Sequence, residues 1–89
     1  MSTTAYAEAE IEAIVREVEL YVSRHPTAAD TTEGIARWWL DRREQPALSN
    51  VESALELLVV RGVLTSRLLP GGKSFYSAAL RSVPPRPTY

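Results

Sequence analysis

"VRGVLTSRLLPGGKSFYS", residues 60–77, decides how this chain folds. Up to Val60 the apolar residues recur at helical spacing, and after Gly62 the period falls to two. Gly62 stands where a helix ends in the left-handed conformation that residues with a Cβ resist. Residues 63–68 and 74–78 then read as strands, rich in β-branched and aromatic residues. Between them Leu69-Pro70-Gly71-Gly72-Lys73 has hairpin length and turn chemistry. The expectation is a helix that stops at a glycine and hands over to a β-hairpin.

Upstream of that junction, Val51, Ala54, Leu55 and Leu58 form the stripe of a third helix over about 50–61, opened by a capping box at Ser49-Asn50-Val51-Glu52. A second helix starts near Asp30, where Asp30-Thr31-Thr32-Glu33 has the same form, and "DRREQP" ends it. Its buried side comes from Ile35, Trp38, Trp39 and Leu40. Adjacent helical residues point about 100° apart. Trp39, one turn from Ile35, therefore takes the core, and Trp38 takes the edge as a candidate partner anchor. Ile11, Ile14, Val15, Val18 and Val22 make one stripe of a first helix over 5–24, which must stop before Pro26. Glu12 and Arg16 on it are spaced as a favourable i,i+4 pair. Beyond the hairpin, the prolines of "SVPPRPTY" make residues 81–89 an extended or disordered tail on a single domain, 1–80.

Composition narrows the function classes. Eighty-nine residues make one small domain, and 45% apolar with 24% charged is ordinary for a globular chain. No run of about 18 apolar residues offers a membrane span. The N-terminus is acidic and lacks a signal-peptide pattern, so a cytoplasmic protein is expected. The absence of cysteine excludes thiolate metal and redox chemistry, and no metal or cofactor is expected. Net charge is −1, but it is polarised. Residues 1–36 carry seven acids against Arg16 and Arg24, whereas residues 57–89 carry five cations and no acid. Such asymmetry hints at a directed binding surface.

Three helices, a glycine and a hairpin with a Gly-Gly-Lys tip, in that order, resemble a winged helix-turn-helix domain. The likeness is carried by "VESALELLVVRGVLTSRLLPGGKSFYSA": Leu55 and Leu58 in the helix, Gly62 at its end, Val63 and Leu64 in the first strand, and Tyr76 in the returning one. It covers residues 8–80 and implies an α+β fold, a three-helix core followed by a two-stranded wing. It also implies that the third helix enters a major groove of double-stranded DNA while the wing lies on the backbone. The connection from Arg42 to Leu48 is longer than a tight helix-turn-helix turn.

On that reading Asn50 and Ser53 face base edges and Arg61 a phosphate, with Arg42, Arg43, Arg67 and Lys73 gripping the backbone on either side. Arg37 belongs to the same basic set. Glu52 and Glu56 on the same helix would repel phosphates, and Leu57 and Val60 add apolar surface that a groove reader seldom needs. These four residues, with Trp38, define a competing expectation, a protein-interaction module that keeps the fold without binding DNA. Winged-helix proteins often pair through terminal helices, so the resemblance extends to a homodimer, for which Tyr6, Leu20 and Tyr21 would widen the apolar surface. The alternative is that they cover the hairpin's underside within one chain. Catalysis has little support: His25 is the only histidine, and Pro70-Gly71-Gly72-Lys73 lacks the longer loop of a P-loop. No enzyme is expected.

Overall fold

The computed structural model describes residues 3–42 and 45–79. Helix α1 (Thr3–Arg24) leads into a short strand, β1 (Ala29–Thr31), and a single turn of helix, α2 (Thr32–Gly34), which continues into a π-helical segment, Ile35–Trp39. Helix α3 (Leu48–Val60) follows, and then the hairpin strands β2 (Leu64–Leu68) and β3 (Ser74–Ala78). The fold is α+β, and the sheet is antiparallel with three strands in the order β1-β3-β2.

The third strand corrects the two-stranded expectation. Ala29, Asp30 and Thr31 pair with Ser77, Tyr76 and Phe75, so β3 lies in the centre with β2 on its other side. A three-residue strand shows no alternation, because two periods need at least four positions. The same stretch corrects the helix start. Asp30 is a strand residue whose Oδ1 accepts from the Thr31 N–H at 2.7 Å, and the N-cap is Thr31, whose Oγ1 accepts from the Gly34 N–H at 3.2 Å. Helix α3 also begins earlier than expected. Its N-cap is Ala47, directly after the buried Pro46, and Ala47 O accepts from the N–H groups of Asn50 and Val51. The Ser49 capping box is not the helix start.

The junction after α3 forms as its glycine predicts. Gly62 has φ +81°, its N–H donates to Val59 O, and the Val63 N–H reaches back to Leu58 O at 2.9 Å. This is the paired closure of a Schellman motif. In the hairpin, Gly71 has φ +100° behind Pro70, and the Gly72 N–H donates to Leu69 O. Proline then glycine in the two central positions is the signature of a type II turn.

One core joins these elements. Ile14 and Val18 of α1, Ile35 and Trp39 of the second helical segment, four residues of α3, Leu64 of β2 and Tyr76 of β3 are all buried in it. The π-helical winding splits the two tryptophans: Trp39 is buried and stacks on Tyr21 at 4.7 Å between ring centroids, while Trp38 is 70% exposed. Tyr6 and Leu20 are exposed rather than tucked beneath the hairpin.

Candidate functional site

Helix α3 is the element with two free flanks. Val51, Ala54, Leu55 and Leu58 face the core, which leaves Ser49, Glu52, Ser53, Glu56, Leu57 and Val60 on the outside. Leu57 is 42% exposed and Val60 84%. No lysine or arginine stands on the helix itself, and Arg61 follows its last residue.

On the α1 flank lies a groove of about 500 Å³, walled by Ser53, Leu57 and Val60 from α3 and by Ile11 from α1. Glu8, Glu12 and Glu56 rim it. Among the described residues none of the three carboxylates has an ion-pair partner, and the Glu12–Arg16 pair expected from spacing does not form. On the hairpin flank a second depression of about 340 Å³ is lined by Glu33, Glu52 and Glu56 together with Lys73 and Tyr76.

Three of the cations expected to hold a phosphate backbone, Arg42, Arg61 and Lys73, are turned to acids of their own chain. Arg42 donates from Nε and Nη2 to the two carboxylate oxygens of Glu17, at 3.4 and 2.9 Å, and its Nη1 lies 3.5 Å from Glu10. That two-pronged contact ties the segment after the π-helical turn to α1. Lys73 sits 3.5 Å from Glu33 across the hairpin depression, and Arg61 lies 3.9 Å from Glu19. Arg67 is exposed on β2 with no ion pair among the described residues. Arg43 lies outside the described residues.

Asn50 is half-buried and donates from Nδ2 to Glu10, so it faces α1 rather than outward. Of the sequence-derived site residues, Ser53, Leu57 and Val60 come together in one groove. Asn50, Arg42 and Arg61 turn to α1, and Lys73 and Arg67 remain with the hairpin. Trp38 lines two other depressions, one with Leu20, Tyr21 and His25 and one with Arg37 and Leu48. Ile11 was expected in the apolar stripe of the first helix, and its position in the wall of a groove with Glu8 and Glu12 was missed. Glu10 and Glu17 were missed as partners of Arg42, since nothing local marks contacts this far apart in sequence, 25 residues in the case of Glu17.

Among the described residues no helix is long and apolar enough to cross a membrane, and no cluster of His, Cys, Asp or Glu could hold a metal ion. No protein-family model, curated protein or solved structure matches this chain.

Proposed function

We propose that this chain is a protein-interaction module on a winged-helix-like scaffold, with the outer face of α3 as its docking element. One observation carries the reading: the outer face of α3 combines exposed Leu57 and Val60 with Glu52 and Glu56, and the helix bears no cation. Apolar side chains held in water gain by burial against a partner, at roughly 25 cal/mol per Å² removed from solvent. A polyanion gains nothing comparable there, because each phosphate would face a carboxylate.

A second reading, DNA binding in the winged-helix manner, draws its support from Arg67, which is exposed on the hairpin and has no ion pair among the described residues. There α3 would lie in the major groove, with Arg67 and Lys73 on the backbone. Lys73 would first have to leave Glu33, and Arg42 to leave Glu10 and Glu17.

The test is cross-linked capture in the cells that make the protein, comparing wild type with the double variant Leu57→Glu, Val60→Glu. Both positions are exposed, so the variant should keep its circular dichroism and melting behaviour. The expected result is a partner cross-linked by wild type and lost in the variant. Capture that is unchanged by both substitutions overturns the assignment of the docking face.

A further inference from the structure

The groove between α1 and α3 has an apolar wall in Ile11, Leu57 and Val60 and an acidic rim in Glu8 and Glu12 from α1 and Glu56 from α3. The three rim residues are exposed, and among the described residues none has an ion-pair partner. The other acids of α1 behave differently. Glu10 and Glu17 hold Arg42, and Glu19 lies 3.9 Å from Arg61. On α1 the acids without a cation are thus the two beside the apolar wall, and wall and rim together limit what can fill the groove.

Backbone chemistry fixes the form of the occupant. Both walls are helices, whose N–H and C=O groups are taken up by their own turns, so the groove offers no ladder of main-chain partners. A segment buried there has to pair its own backbone groups, and a single segment does so as a helix. Side-chain chemistry fixes its faces. Leu57 and Val60 lie one turn apart, as do Glu8 and Glu12. The matching helix therefore carries an apolar stripe at spacings of three and four, with cations along both of its borders. No described helix of this chain answers to that. Helix α1 sets Arg16 and Arg24 among five glutamates, α3 has no cation, and the short Ile35–Trp39 segment supplies only Arg37. A second copy meeting the groove through α1 or α3 would bring carboxylates to carboxylates, and like charges facing across an interface are repelled.

We infer that the α1/α3 groove takes a cationic amphipathic helix of a partner protein. Its apolar stripe lies on Ile11, Leu57 and Val60, with lysines or arginines against Glu8 and Glu12 on one border and against Glu56 on the other. This rests on the reading of the α3 face as a protein dock and deepens it by naming the partner's chemistry. Burial of the stripe supplies most of the affinity. The rim charges, exposed and screened by salt, set orientation and the speed of encounter. They also reject acidic helices of equal apolarity.

The probe is a synthetic helical peptide of Leu, Ala and Lys, with Leu at i, i+3, i+4 and i+7 and Lys on both borders of that stripe. It is titrated into the isotope-labelled full chain while the amide resonances are followed. Two control peptides keep the Leu stripe: one has Glu in place of every Lys, and the other carries its Lys only on the far face. The expected result is saturable shifts at Glu8, Glu12, Ser53 and Leu57 with the first peptide, weaker binding as salt rises, and no saturation with the Glu peptide. Glu8→Gln, Glu12→Gln and Glu56→Gln together, all at exposed positions, should keep the melting behaviour and weaken binding about tenfold. No saturable binding of the first peptide overturns the proposal, as do shifts centred elsewhere or binding of either control as tight as the first peptide's. Shifts at these residues when the chain is concentrated without peptide assign the groove to a second copy and overturn it as well. The two readings fail separately. Loss of peptide binding beside capture that still depends on Leu57 and Val60 removes the cationic helix and leaves the protein dock. Peptide binding in the groove beside capture that ignores both residues counts against the docking face in cells alone.

Discussion

Along the hairpin flank of α3, Lys73 lies 3.5 Å from Glu33 and the depression is lined mainly by polar residues, with Leu48 as an apolar exception. Along the α1 flank the acids divide into two sets. Glu10 and Glu17 grip Arg42 and Glu10 also accepts from Asn50, while Glu8, Glu12 and Glu56, without an ion pair among the described residues, stand around Ile11, Leu57 and Val60. The paired acids hold the molecule's own elements together, and the unpaired ones sit where apolar surface is left uncovered. That difference separates scaffold from candidate interface more sharply than net charge does.

The largest expected effect contrasts the two faces of α3 itself. Leu55→Ala removes a side chain with no solvent exposure and should cost about 2–5 kcal/mol. Leu57→Ala, two residues on and exposed, should stay within about 0.5 kcal/mol. Urea denaturation of both variants reads the contrast, and a large cost at Leu57 would show that this face already serves the fold.

Gly62→Ala comes next. A β-carbon there meets no neighbouring atom, so only the backbone is strained at φ +81°, at about 1 kcal/mol. Gly34→Ala makes a useful comparison, because its φ of −65° is ordinary for a helix and the obstacle is instead the Asp30 carboxylate, which an added Cβ would overlap. Asp30→Ala in the same chain should rescue Gly34→Ala and do nothing for Gly62→Ala in thermal melts.

Those two glycines also mark what was legible from residues alone. Gly62 and the Pro70-Gly71 turn have local causes, a positive φ and a fixed one, and both appear where the sequence places them. Strand β1 does not, since Ala29–Thr31 acquires its conformation from pairing with β3. The capping boxes mislead for a related reason: serine, threonine and aspartate can bond backbone in more than one local geometry, and tertiary pairing chooses among them. At Asp30 the strand takes the residue, and the cap moves to Thr31. The candidate site was half legible. Ser53, Leu57 and Val60 follow from helical spacing, whereas the partners of Arg42 and Asn50 lie 25 and 40 residues away.

A smaller effect separates the paired cations. Arg42→Met leaves Glu10 and Glu17 without their cation, and the partly exposed site limits the loss to about 1 kcal/mol, less at high salt. Lys73→Met breaks a pair whose side chains are both more than half exposed and should leave the denaturation midpoint unchanged. Equal losses at the two positions would remove the distinction between an ion pair that ties elements together and one that lies on the surface.

The central claim, that the outer face of α3 meets protein rather than nucleic acid, is tested most directly by titrating the full chain into a fluorescently labelled duplex at low salt and at physiological salt. The account predicts no saturable change in anisotropy at either. Saturable binding at low salt that falls steeply as salt rises, and that weakens on Arg67→Glu or Lys73→Glu, is the signature of phosphate contacts and would contradict it.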